Sequence, residues 1–130
     1  MKNHILLISL LFVISNLFAQ VNLITIKYVS QSVETPIKIR SDNFETYFSK
    51  NIKVKNISNK NDVELLCKYL FALKMDKSGY YPNIRMKIEL KGNNKVKCYY
   101  LNSAGIVYLG KSYLLPDPLY DKISKLILAK

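Results

Sequence analysis

Apolar and polar residues alternate with a period of two from Ile84 to Asn102 (IRMKIELKGNNKVKCYYLN), in two runs joined by Gly92-Asn93-Asn94. Such alternation marks the two half-buried strands of an antiparallel hairpin. In the first run Ile84, Met86, Ile88 and Leu90 face one way, and Arg85, Lys87, Glu89 and Lys91 the other. In the second, Val96, Cys98 and Tyr100 stand against Lys95, Lys97 and Tyr99. A three-residue loop pairs Lys91 with Lys95, Glu89 with Lys97 and Ile88 with Cys98, which puts both apolar rows on one face. A two-residue turn at Asn93-Asn94 sets Leu90 against Lys97, and that slip turns a whole apolar row outward. The three-residue register is therefore expected.

The rest of the chain supplies further strands and two main helices. Leu23–Ser30 alternates as a strand, Ile37–Arg40 follows Pro36 as a short second one, and Asn51–Ile57 reads as a lysine-protected strand near an edge. Asp42 and Glu45 have the spacing of a capping box, predicting a short helix over Asn43–Ser49. Val63, Leu66, Cys67, Leu70 and Leu73 form one apolar stripe, predicting a helix over Asp62–Met75; Ser58–Asn61 offer several N-caps, and Asn61 with Glu64 has N-cap/N3 spacing. After the hairpin, Ile106–Leu109 and Ser112–Leu115 flank a Gly110-Lys111 turn of type II′. Asp117 then caps a helix over Pro118–Ala129, whose stripe is Leu119, Ile123, Leu126 and Ile127. The expected fold is α+β: an antiparallel sheet of five to seven short strands, with a C-terminal meander and two main helices on one face. The order of the first three strands is left open. In general shape the helix-then-meander order is similar to small exported binding and inhibitor domains, a likeness that implies nothing about function.

The N-terminus changes the picture of where this domain works. Lys2, the apolar run Ile5–Phe18 and Ala19 before Gln20 have the layout of a signal peptide over residues 1–19. The run is shorter than the ~20 residues of a spanning helix, although an uncleaved N-terminal anchor is the alternative. The mature protein, residues 20–130, is then one exported domain, periplasmic or secreted, without a transmembrane anchor. It keeps 19 Lys and Arg against 9 Asp and Glu, a net charge near +10. That balance favours anionic partners, but only two of the basic residues are arginine and none cluster as in a nucleic-acid motif. The lysine, asparagine and isoleucine bias is also what an AT-rich genome produces.

Chemistry is restricted by what is missing. His4, the only histidine, lies in the signal peptide, which removes histidine bases, histidine metal ligands and Ser–His or Cys–His nucleophiles from the mature chain. No phosphate-binding glycine loop and no calcium-loop pattern occur, so neither cofactor nor metal is expected. Most carboxylates have helix-end or lysine-paired roles, leaving a carboxylate-pair hydrolase as a minor reading. Cys67 and Cys98 both fall on rows expected to be buried. An exported chain can keep a disulfide between them, stabilising the fold by about 3.5 kcal/mol; two buried free thiols are the alternative. The remaining candidate is the wet face of the hairpin, Arg85, Lys87, Lys91, Lys95, Lys97 and Tyr99, with a cation–π contact between Lys87 and Tyr99. Such a face can take a partner protein or an anionic envelope polymer, or can be merely a solvated surface. The leading expectation is a non-catalytic exported binding protein. A small-ligand carrier with an apolar cavity between sheet and helices is the main alternative.

Overall fold

The computed structural model describes residues 21–129, so the expected signal peptide lies outside the described residues. The chain runs β1 (Leu23–Tyr28), α1 (Phe44–Tyr47), β2 (Lys53–Ile57), α2 (Lys60–Leu70), β3 (Met86–Gly92), β4 (Lys95–Leu101), β5 (Ile106–Tyr108), β6 (Lys111–Tyr113) and α3 (Asp117–Leu128). The strands form one six-stranded antiparallel sheet in the order β2-β1-β3-β4-β5-β6. The long helices α2 and α3 cover one face, as the apolar stripes predict. Their buried residues Val63, Leu66, Cys67, Leu70, Leu119 and Ile123 pack on Ile24, Ile26, Ile88, Leu90, Tyr99 and Leu101. Among the described residues no helix is long and apolar enough to cross a membrane.

Several boundaries differ from the sequence pattern for identifiable reasons. Helix α2 starts earlier because, of the candidate caps Ser58–Asn61, it is Asn59 that accepts from the Asp62 N–H, at 3.1 Å. It stops at Leu70 because Lys74–Asp76 joins the sheet edge: the Leu114 N–H donates to the Lys74 carbonyl and the Asp76 N–H to that of Ser112. Residues 37–40 form no strand; Ile39 is instead buried in a second core with Val29, Phe44, Phe48, Ile84 and Val107. The second tight turn is Leu109-Gly110 rather than Gly110-Lys111, with φ of 50° and 77°.

The central hairpin takes the register that the alternation argued against. Ile88 pairs with Tyr99, Glu89 with Cys98, Leu90 with Lys97 and Gly92 with Lys95. Asn93 and Asn94 form the two-residue turn, with φ of 48° and 60°. Both values are left-handed, which a type I′ hairpin turn requires and asparagine tolerates. Tyr99 and Leu101 consequently enter the helix-side core, while Val96 is left 54% exposed on the other side. Two large side chains buried in place of Val96 and Cys98 favour this register as well.

The sheet's second face is not simply wet. Segment 29–52, carrying α1, folds over it and builds the second core, which reaches Tyr100 of β4 and Val107 of β5. Arg85 and Lys87 are thereby only 5% and 9% exposed. The Arg85 guanidinium donates to the carbonyls of Val33 and Ile84, to Asn83 Oδ1 and to Thr35 Oγ1, and lies over the Phe48 ring. Buried charge is tolerated there because its N–H groups are matched by acceptors.

The register also overturns the expected disulfide. Cys67 and Cys98 are both free. Cys67 faces the helix-side core, whereas Cys98, opposite Glu89, faces the second side of the sheet. A sheet lies between them.

Candidate ligand groove

The groups expected on one basic face are divided between two sides. Arg85, Lys87 and Lys91 project to the second side with Glu89; Lys95, Lys97 and Tyr99 project toward the helices. Lys87 meets Tyr100 rather than Tyr99, with Nζ 5.6 Å from the ring centre. Arg85 and Lys87 are committed to internal contacts. Glu45 accepts from both Lys27 at 2.8 Å and Lys87 at 3.0 Å, and Glu89 lies 3.2 Å from the Lys27 ammonium. These two hydrogen bonds, that of Lys27 first, hold the Glu45 carboxyl below its ordinary range. Burial opposes the Lys87 charge, but the Glu45 hydrogen bond and neighbouring groups leave its pKa raised. A general acid of a glycosidase type needs the opposite, a carboxyl pushed up. Glu89 Oε1 is fully buried and, despite the nearby ammonium, makes no aligned hydrogen bond. The quartet ties α1 to the sheet. Among the described residues no three histidine, cysteine or acidic side chains converge to hold a metal.

Lys97 and Tyr99 instead contribute to a groove of about 340 Å³ between the end of α2 and the sheet. Its floor is the Tyr99–Tyr108 pair, neighbours across β4 and β5, whose rings stack at 4.4 Å and 14°. Leu70, Phe71 and Leu73 wall it where the chain leaves α2, and Tyr113 of β6 closes the far side. That wall is held in place by the backbone bonds that join Lys74 and Asp76 to the sheet edge. The Lys97 ammonium sits 4.9 Å from the Phe71 ring centre and makes no ion pair among the described residues. Tyr99 is 2% exposed. Burial first, then Tyr108, pushes its phenol pKa up, so the hydroxyl is a neutral donor. No hydrogen bond to the hydroxyls of Tyr99, Tyr108 or Tyr113 occurs among the described residues. Among the described residues Glu89 Oε1 is the only fully buried side-chain N or O atom without a hydrogen-bond partner, so the Tyr99 hydroxyl tip is open to solvent. Apolar walls with a few converging polar groups are the usual composition of a ligand site, and this volume lies in the usual range.

A second groove, also about 340 Å³, lies on the opposite side of the sheet between Ser41, Val96, Cys98, Tyr100, Val107 and Leu109. Lys97 and Tyr108 line both grooves. They meet there because β5 pairs with β4 only at Tyr100–Val107 and Leu101–Ile106 before turning away.

Of the residues singled out from sequence, Lys97 and Tyr99 belong to the helix-side groove and Lys95 stands exposed nearby in β4. Tyr108, Tyr113, Phe71, Leu70 and Leu73 were not anticipated. The available signal was the count of ten tyrosines with no tryptophan, a residue common in recognition surfaces. Compared with protein-family models, curated proteins and solved structures, the chain matches none.

Proposed function

We propose that the protein is an exported, non-catalytic binding protein whose ligand site is the tyrosine-lined groove between α2 and the β4–β6 strands. The ligand presents an anionic or strongly hydrogen-bond-accepting group on an apolar body. One observation supports this above others: Lys97, whose ammonium makes no ion pair, and Tyr99, whose hydroxyl makes no hydrogen bond among the described residues, line one apolar groove. A carboxylate or sulfonate accepts from both, and Leu70, Leu73 and the stacked tyrosines cover its apolar part. Export is supported by the Lys2, Ile5–Phe18 and Ala19 pattern. The basic sheet face first expected as the partner site has no such support, since Arg85 and Lys87 are engaged inside the fold.

The test is a fluorescence titration with 8-anilinonaphthalene-1-sulfonate, an apolar aromatic bearing one sulfonate. Saturable binding at one site is expected. Lys97→Gln and Tyr99→Phe should each weaken it about tenfold, the equivalent of losing one charge-assisted hydrogen bond. Undiminished affinity in both variants, with far-ultraviolet circular dichroism unchanged, removes the groove as the site.

A further inference from the structure

The groove opens onto an unpaired strand edge. In a two-residue hairpin the closing pair, here Gly92 and Lys95, exchanges both backbone hydrogen bonds. Lys95, Lys97, Tyr99 and Leu101 therefore aim their backbone groups at β3, as the 3.0 Å bond from the Arg85 N–H to the Leu101 carbonyl shows. Val96, Cys98 and Tyr100 aim theirs away from β3. β5 takes up Tyr100, but Tyr108 is followed by the left-handed Leu109-Gly110 turn, which leads the chain off to β6. Among the described residues no backbone hydrogen bond joins Lys95–Cys98 to Leu109 or Gly110. About 13 Å of β4 edge is left with its Val96 and Cys98 donors and acceptors unused, at about 3.3 Å per residue.

Open edges are usually blunted by charge, proline, a bulge or a covering segment. This one has a groove on each side of the sheet, and the two differ in chemistry. The helix side offers Lys97 and the tyrosine hydroxyls; the second side offers Val96, Val107 and Leu109, the last 81% exposed. Around the edge stand Lys91, Lys95, Lys97 and Lys111, and none makes an ion pair among the described residues. An extended chain laid on β4 directs alternate side chains to opposite sides. We propose that the physiological ligand is an extended segment of a partner protein, alternating acidic and apolar residues, which adds to the open edge of β4 as an antiparallel strand continuing the line of β5. Its acidic side chains enter the tyrosine groove beside Lys97, and its apolar ones lie against Val96 and Leu109. Main-chain bonds to Val96 and Cys98 hold it, and the two grooves select its sequence. This rests on the tyrosine groove being a binding site and names its occupant.

The experiment is calorimetric titration of the folded protein with the peptide acetyl-Glu-Val-Glu-Val-Glu-amide. In the antiparallel arrangement the two valines lie opposite Val96 and Cys98 and donate their N–H groups to β4, while the central glutamate N–H points to solvent. Methylating both valine amides should weaken binding more than tenfold, and methylating the central glutamate amide less than threefold. The composition-matched acetyl-Val-Val-Glu-Glu-Glu-amide should also bind more than tenfold more weakly. Val96→Pro removes an outward donor that the β3–β4 ladder does not use, and should abolish peptide binding while the naphthalene sulfonate still binds. Equal affinity for the valine-methylated or the rearranged peptide overturns strand addition. So does sedimentation showing that a second copy of the chain occupies the edge and excludes the peptide. Naphthalene sulfonate binding without peptide binding overturns this inference alone; failure of both removes the groove as well.

Discussion

Replacing Leu109 with asparagine is expected to raise stability while lowering affinity for the acidic–apolar peptide. Leu109 holds φ at 50° and Gly110 at 77°, left-handed values at both central positions of the β5–β6 turn. Asparagine-glycine is the pair this turn geometry favours. A left-handed backbone costs an ordinary L-residue about 1–2 kcal/mol, a penalty that asparagine relieves in part. The leucine returns little of that through packing. It is 81% exposed, so burial forgone is about 0.3–0.6 kcal/mol if full burial is worth about 1.5–3 kcal/mol. The expected net gain is about 0.5–1 kcal/mol, or a Tm higher by about 2–5 °C for a domain of this size. Thermal unfolding by circular dichroism, with urea titration for the free energy, measures it. In the same variant the peptide loses its Leu109 contact and should bind several-fold more weakly. A loss of stability above about 1 kcal/mol refutes the assignment of Leu109 as strained and exposed. Unchanged peptide affinity refutes its place in the site.

The Glu45 quartet gives a pH profile. Glu45 is depressed below its ordinary 4.5 by hydrogen bonds from Lys27 and then Lys87, so its contribution is present above that pH and lost as pH falls through the lowered value. Lys27 is raised mainly by Glu45, and Lys87 is raised despite its burial; their contributions are present below about 10.5 and lost as pH rises through the raised values. Urea midpoints should therefore form a plateau between about pH 5 and 10, with Glu45→Ala weakening the acid-side fall. At pH 7 that variant should lose about 1–2 kcal/mol, mostly from the unpaired Lys87, since the Glu45 side chain is itself 46% exposed and screened. Denatured, unreduced protein should take up two alkyl groups by intact mass. In the native state Cys67, fully buried and pushed up to about 11 by burial, should resist alkylation while half-buried Cys98 reacts first.

Much of the fold was legible because apolar periodicity reports burial. The α2 and α3 stripes, the β1 strand, the lysine-rich edge strand β2 and the short α1 helix all follow from residue spacing. The hairpin register was not, because both rows of its second strand contain apolar groups: Val96, Cys98 and Tyr100 on one, Tyr99 and Leu101 on the other. Two adjacent left-handed asparagines decided it, a turn preference stronger than one lysine on the buried side. That lysine lies over the Phe71 ring instead of being desolvated. The expected disulfide and the expected single basic face both depended on the other register. The cover over the second face was invisible for a different reason. Arg85 is held by the Val33 carbonyl and the Thr35 hydroxyl, both distant in sequence, and no side-chain pattern encodes such partners. Tyr108 and Tyr113 could not be joined to Lys97 until the strand order was known.

The most direct measurement is the response of the ten tyrosine rings to ligand. With ring-carbon-labelled tyrosine, two-dimensional NMR follows each ring as acetyl-Glu-Val-Glu-Val-Glu-amide is added. Tyr99, Tyr108 and Tyr113 should shift together and saturate together, with Tyr100 moving less and Tyr28, Tyr47 and Tyr120 unmoved. A different groove, of about 220 Å³, lies between Tyr28 and Tyr120. Shifts centred on those two rings, with Tyr99 and Tyr108 unchanged at saturation, would contradict the assignment of the α2–β4 groove as the binding site.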